Sequence, residues 1–257
     1  MSRIIAVANQ KGGVGKTTTS VNLAASLAAT KRSVLLVDLD PQGNATMGSG
    51  IDKALLKVSA YDVLMGEKTV PEVVVRSEEG GYDLLPSNSD LTGAEVSLLE
   101  ELAREVRLRK ALEPVRDNYH FILIDCPPAL SMLTVNALVA ADAVIIPMQC
   151  EYYALEGLTA LLDTIEKIRK YLNRHLRVEG LLRTMYDPRN NLSTQVSQQL
   201  LKHFGDKVYR TVIPRNVRLA EAPSHGLPII KYDKACQGSL AYLALAGEML
   251  NREGKAA

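Results

Sequence analysis

The 257 residues carry 30 Lys/Arg against 29 Asp/Glu, a formal net charge of +1, and 47% of them are hydrophobic with no Trp. That length suits one large α/β domain, residues 1–257, and the net charge by itself excludes no partner. Three scattered Cys argue against a disulfide framework and for a reducing cytoplasm, and no apolar run approaches a membrane span.

The first predicted strand is residues 4–8, Ile-Ile-Ala-Val-Ala, so close to Met1 that neither a signal peptide nor an N-terminal DNA-reading module is expected ahead of it. It runs into Lys11-Gly12-Gly13-Val14-Gly15-Lys16-Thr17-Thr18, and a helical pattern follows over residues 21–29. Strand, glycine loop and helix form the context of a phosphate-binding P-loop. Backbone N–H groups of such a loop wrap a polyphosphate, and the helix N-terminus adds its positive dipole end. Lys16 is expected to reach the terminal phosphates and Thr17 to sit on Mg²⁺. The common form of this loop has a glycine where Gln10 stands, and here a second lysine, Lys11, opens the loop. Lys11 reads either as a solvated charge that helps hold an anion or as a group reaching a nucleotide on another subunit. Residues up to 18 do not choose between them.

Further short apolar runs lie at residues 34–37, 82–85, 121–124, 143–146, 178–182 and 208–213. Several are continuously apolar, as strands buried on both faces of a parallel sheet are. Helical patterns occupy residues 91–112, the longest, and 154–171, 192–204 and 239–251, while residues 43–81 read as an irregular surface excursion. This alternation predicts an α/β fold with a doubly wound, mostly parallel sheet flanked by helices, its ligands at the carboxyl ends of the strands.

Two predicted strands end in carboxylates. Asp38 and Asp40 lie two apart, so an extended segment points them the same way. Asp38, nearer the strand, is expected to orient Mg²⁺ or the loop, and Asp40, on the following turn, to position water. Asp125 ends Phe121-Ile122-Leu123-Ile124, the Walker B form, and is expected to hold Mg²⁺ through its water shell. A lone Asp after a strand more often caps a helix or starts a turn; the P-loop upstream favours the functional reading. Cys126, Cys150 and Cys236 lack the paired spacing of a cluster site and read as unreactive thiols.

Four stretches together resemble the ParA/Soj branch of the deviant Walker A ATPases, within the MinD/ParA superfamily. They are A-N-Q-K-G-G-V-G-K-T-T-T (8–19), L-L-V-D-L-D-P-Q-G-N-A-T (35–46), I-L-I-D-C-P-P (122–128) and V-I-P-R-N-V-R-L-A-E-A-P-S-H-G (212–226). The resemblance implies that Lys11 is the signature lysine, contacting nucleotide across a dimer that sandwiches two ATP molecules. Gly12 then lies at the dimer contact, and Gly13, Val14, Gly15, Lys16, Thr17 and Thr18 take the phosphates and Mg²⁺. It also implies that Asp40 is needed for hydrolysis and that Pro214 and Asn216 lie against adenine.

Residues 174–234 hold eleven Lys/Arg against five Asp/Glu, so a near-neutral total conceals a basic C-terminal third. Local charge of that kind drives sequence-independent binding to phosphate backbones, although a solvated basic face reads equally well. Few aromatics there could stack bases, which argues against a single-strand platform. By resemblance, Arg189 and Arg218 match DNA-binding arginines, while Lys202, Lys207 and Arg210 are candidates from charge alone. The implied function is an ATP-dependent DNA-segregation ATPase, cytoplasmic and nucleoid-associated. Its ATP-bound dimer holds nonspecific double-stranded DNA until hydrolysis, stimulated by a ParB-type centromere-binding partner, releases it. The alternatives are a membrane-cycling ATPase of the MinD type, which needs a basic amphipathic C-terminal helix that the mixed charge of residues 246–255 does not offer, and a P-loop electron-transfer subunit, disfavoured by the unpaired cysteines.

Overall fold

The computed structural model describes residues 2–151 and 154–256, without the side chains of residues 154–156 and 253–256. Strands β1 (Arg3–Val7), β2 (Val34–Asp38), β3 (Val75–Ser77), β4 (Tyr82–Leu85), β5 (Phe121–Asp125), β6 (Ala143–Gln149), β7 (Arg177–Tyr186) and β8 (Val208–Pro214) form one sheet. Its order is β3-β4-β2-β5-β1-β6-β7-β8. Every pairing is parallel except β3 with β4, which makes the mostly parallel, doubly wound sheet that the alternation predicts. The antiparallel edge strand β3 lies inside the stretch read as irregular.

Helices α1 (Lys16–Ala29), α2 (Asn44–Gly48), α3 (Ala60–Met65), α4 (Val70–Val73), α5 (Leu91–Glu100) and α6 (Arg107–Leu112) precede β5. After it come α7 (Met132–Ala140), α8 (Ala154–Tyr171), α9 (Asn191–Phe204), α10 (Val217–Glu221), α11 (Ile229–Tyr232) and α12 (Gln237–Ala256). The tail weighed as a membrane helix lies partly outside the described residues, since the side chains beyond Arg252 are among those left out. Among the described residues, no helix is long and apolar enough to cross a membrane.

Alternate residues of the central strands feed opposite faces, the period-2 rule at work. Ile4, Ala6, Leu35, Val37, Ile122 and Ile124 join one core with α5 to α9. Ile5, Val34, Leu36, Phe121 and Leu123 join the other with α1 and α12. A fully buried Leu or Ile contributes about 1.5–3 kcal/mol, against about 0–1 kcal/mol for a surface ion pair. The two apolar faces, rather than charges at the rim, therefore hold the strand ends in place.

The helix expected over residues 91–112 is two helices. Its apolar periodicity continues through Leu102, yet that side chain is 90% exposed and Ala103 has φ 52°. Asn136 of α7 fixes the break: its Nδ2 donates to Arg104 O at 2.8 Å and its Oδ1 accepts from Leu108 N at 3.1 Å. Buried and fully bonded, Asn136 takes over backbone groups that a continuous helix would have paired with itself. α7 itself escapes the periodicity reading, because Leu133, Ala137, Leu138 and Val139 are all buried and the helix has little polar face.

Candidate functional site

Register brings three strand ends onto one rung at the carboxyl edge of the sheet. Val7 pairs with Asp125, and Asp38 pairs with Asp125 from the other side. The loop after β1 rises beside them. Gly13 (φ 71°) and Gly15 (φ 84°) hold left-handed conformations that a side chain would strain. Gly15 is the N-cap of α1, which begins at Lys16, earlier than its apolar pattern indicates. No side chain caps that end, so its first N–H groups face the loop.

Two residues that sequence reasoning did not single out sew the loop to the sheet. Asn9 Nδ2 donates to Pro147 O at 2.8 Å, and Asn9 Oδ1 accepts from Lys11 N at 3.0 Å. Thr184, at the end of β7, donates to Val14 O at 2.8 Å. Neither residue carries a spacing that marks it in the sequence; β6 and β7 arrive from more than a hundred residues away.

The two lysines of the loop diverge. Lys16 is buried, and its Nζ donates to Lys11 O at 3.0 Å. Burial lowers the pKa of its ammonium, and the nearby Asp125, Cys126 and Asp40 oppose that. It lines a cradle of about 400 Å³ together with Gly12, Gly13, Thr17, Thr18 and Asp40. Lys11 turns away from that cradle; its Nζ is half-exposed and meets Glu151 Oε2 at 2.5 Å. Among the described residues, a Cβ built at Gly12 would meet nothing closer than Pro128 Cβ at 4.0 Å. Among these residues, no contact therefore demands a glycine there.

Asp125 is wholly buried and accepts from Thr17 Oγ1 and Ser20 Oγ, both at 2.7 Å. Burial raises its pKa, the Asp38 charge raises it further, and the two hydroxyls pull it back. Asp40 lines the cradle, and its Oδ1 accepts from Gln42 N at 3.0 Å. Asp38 is held differently. Like Asp125 it lies behind the cradle wall, but its oxygens accept from Thr46 N and Thr46 Oγ1, each at 2.8 Å, and from Asp40 N at 3.1 Å, where those of Asp125 accept from Thr17 of the cradle. Of the two roles expected for it, the geometry favours holding the loop over binding metal. Ser87 ties the same loop from behind, donating to Asp40 O at 2.8 Å.

A second cavity of about 330 Å³ adjoins the cradle, and Gly15, Thr18 and Met185 line both. Pro214, Asn216, Ile213 and Tyr242 complete its largely apolar wall, the kind of surface that takes a flat base. Asn216 also caps α10, accepting from Leu219 N at 3.3 Å. Met185 has φ 48°, a conformation rare for a long side chain, at the seam between the cavities.

The basic third is less basic than its count. Arg183 is buried, donating to Ser197 Oγ, Tyr209 O and Arg210 O, so one of the eleven cations serves packing. Arg189 is held by Asp187 through Nε at 2.9 Å and Nη2 at 2.8 Å. Arg218 lies 2.9 Å from Glu221 and 3.6 Å from Asp233. Lys202, Lys207 and Arg210 are exposed. Cys126 and Cys150 are buried, and burial pushes both thiols up, Cys150 to about 11, so neither is a thiolate near neutral pH.

Comparison with known proteins decides what kind of cradle this is. Residues 2–178 match a family described as an AAA domain. The chain is 55% identical to the sporulation initiation inhibitor protein Soj of Bacillus subtilis, covering 97% of this chain and 98% of that protein. The chain belongs to the ParA/Soj family. It is also 54% identical to the chromosome partitioning protein ParA of Caulobacter vibrioides, over 98% of this chain and 95% of the relative. Among solved structures it resembles cobyrinic acid a,c-diamide synthase from Mycobacterium smegmatis with bound ATP analog and magnesium, at TM-score 0.88 and 38% identity, over 100% of this chain and 98% of that one. As a ParA/Soj ATPase, the chain uses ATP and magnesium. The residues present fit both. Two left-handed glycines and an uncapped helix start form an anion cradle, and Lys16 already lies in it. Among the described residues no three His, Cys, Asp or Glu cluster as a metal cage. Thr17 with Asp125 is the sparse donor set that suits Mg²⁺, which keeps waters and takes its other ligands from phosphates.

Proposed function

We propose that this chain is a DNA-segregation ATPase in which ATP gates dimerisation and dimerisation gates DNA binding. The observation that carries the reading is the divergence of the two loop lysines: Lys16 occupies its own cradle, whereas Lys11 leaves it for an exposed position beside Glu151. A lysine presented outward next to an unobstructed Gly12 is suited to reach the nucleotide of a second copy. Gly12 is then kept small by the partner rather than by its own chain.

Gly13, Val14, Gly15, Lys16, Thr17 and Thr18 hold the phosphates of ATP, and Pro214 and Asn216 flank the base. Thr17 and Asp125 hold Mg²⁺, which screens the phosphate charge. Asp40 orients the attacking water from the cradle wall. With Gln42 N on one oxygen, its carboxylate is fixed while still facing the cradle. Arg189 and Arg218 bind the backbone of nonspecific double-stranded DNA, weakly in one copy and firmly when a dimer joins two such surfaces. Loss of the terminal phosphate parts the dimer and frees the DNA, and a ParB-type protein stimulates that step. The two named relatives, one a chromosome partitioning protein, support this assignment, which places the protein on the nucleoid in the cytoplasm.

The test is retention on mixed-sequence duplex DNA with ATP, ADP and no nucleotide across a salt series. Salt-sensitive retention that is much stronger with ATP than with ADP or no nucleotide is expected. Equal retention in all three states would reject the gate, and ATP-dependent binding to anionic vesicles instead of DNA would select the membrane-cycling alternative.

A further inference from the structure

A second group of exposed cations straddles the start of the basic third. α8 ends in Lys167, Arg169, Lys170 and Tyr171, the turn after it supplies Arg174 and His175, and β7 begins with Arg177, all exposed. From Lys167 to Arg177 there is no Asp or Glu. Among the described residues, two acids pair with this cluster. Glu166 pairs with Arg169 at 3.0 Å, and Glu179, nearly buried, is held by Arg3 at 2.5 Å with Arg177 at 3.8 Å. Lys167, Lys170 and Arg174 have no ion-pair partner among the described residues. Arg189 and Arg218, by contrast, must each give up a carboxylate before meeting a phosphate.

The shape and place of the cluster also count. Glu166, Lys167, Arg169, Lys170, Tyr171 and Arg174 line a cleft of about 680 Å³. Basic residues at a helix C-terminus complement its dipole, which accounts for Arg169 and Lys170. It does not account for Arg174 and Arg177, which lie beyond the helix, or for their convergence with Lys167. Arg177 opens β7 at the amino edge of the sheet, whereas Arg189 follows its carboxyl end. At about 3.3 Å per residue, a strand of this length separates the two by about 30 Å. The cleft therefore lies at the opposite end of β7 from the nucleotide cavities.

We propose that this cleft is a second polyanion site, one that takes the phosphate backbone of duplex DNA independently of nucleotide. Three cations with no ion-pair partner among the described residues line one open concavity. Only Tyr171 and Leu172 offer exposed apolar surface there, too little to insert into a bilayer. A molecule with polyanion sites at both edges of its sheet can hold one DNA segment through the ATP-gated surface and touch another through the cleft. The choice of DNA as the polyanion rests on the partition reading; the existence of the cleft does not.

The experiment titrates a mixed-sequence duplex with the nucleotide-free full chain and with a Lys167→Gln/Lys170→Gln/Arg174→Gln variant, across a salt series. All three positions are exposed and far from the cradle, so thermal stability and ATP turnover without DNA are expected to match the parent. The parent is expected to bind in the nonspecific range, about 10⁻⁴–10⁻⁶ M, and the variant at least about tenfold more weakly, with the salt slope reduced by about 2–3. A difference under about twofold, or no binding by the nucleotide-free parent, overturns the cleft. The ATP arm separates the two claims: ATP-dependent retention that survives in the triple variant keeps the partition reading whatever the cleft does. Parent binding to phosphatidylserine vesicles that the variant loses, with duplex binding unchanged, would assign the cleft to a membrane and overturn the proposal.

Discussion

The hydroxyl of Thr17 donates to Oδ2 of Asp125 at 2.7 Å, although the two residues are 108 positions apart in the chain. That bond joins the first turn of the phosphate-loop helix to the end of a different strand. It spans the two groups that together suit a magnesium ion. The parallel register of β1 with β5, which sets Val7 against Asp125, makes it possible.

Asp40 is expected to act on hydrolysis alone. Asp40→Ala should bind ATP with near-normal affinity and lose about 10²- to 10⁴-fold in turnover, the range for a group that handles the reacting proton or water. Nucleotide binding by equilibrium dialysis and phosphate release together check this. Normal turnover in the variant would remove Asp40 from catalysis.

Arg218 and Glu221 should move DNA affinity in opposite directions. If Arg218 contacts phosphate as proposed, Arg218→Ala should weaken ATP-dependent DNA binding and lower the salt slope by about 1. Glu221→Gln removes the carboxylate that lies 2.9 Å from the guanidinium, and affinity should rise about two- to fivefold, as the loss of a surface pair allows. Anisotropy titrations at two salt concentrations read both effects. Weaker binding in the glutamine variant would show that the pair orients Arg218 rather than masking it.

Thr184 should matter to nucleotide affinity through the loop it anchors. Thr184→Val keeps the shape and deletes the donor to Val14 O. A buried hydrogen bond is worth about 1 kcal/mol, so the apparent KM for ATP should rise about fivefold with kcat little changed. A fall in kcat with KM intact would mean that Thr184 acts on the chemistry instead.

Asp38 gives the apo protein a pH signature. Burial raises its folded pKa above the unfolded carboxylate value of about 4. Between those values the native state binds more protons than the unfolded chain, so stability is greatest at the acid end and falls as pH rises through the folded pKa. Asp38→Asn should be less stable overall, because its amide meets donors from Thr46 and Asp40. Its stability should nevertheless depend less steeply on pH between about 4 and 7. Denaturant melts at several pH values measure the slope; equal slopes would mean that the charge of Asp38 is fully compensated.

The sequence alone determined every strand that carries the site, because strands buried on both faces are written as unbroken apolar runs whose ends meet carboxylates or glycines. It marked Lys16, Thr17, Asp40 and Asp125 for the same reason: phosphate and magnesium chemistry needs particular groups at strand ends, and local pattern records strand ends. Only the tertiary structure decided what depends on residues far apart in the chain. Asn136 split the helix expected over residues 91–112 by capturing its backbone from α7. Thr46 took one oxygen of Asp38 and the backbone of Asp40 the other, a choice the spacing alone had left between metal and loop. The charge count saw eleven cations in one third of the chain but not that Arg183 is internal or that Arg189 and Arg218 are already paired. Charge is additive along a sequence, whereas its availability depends on which carboxylates the fold brings within reach.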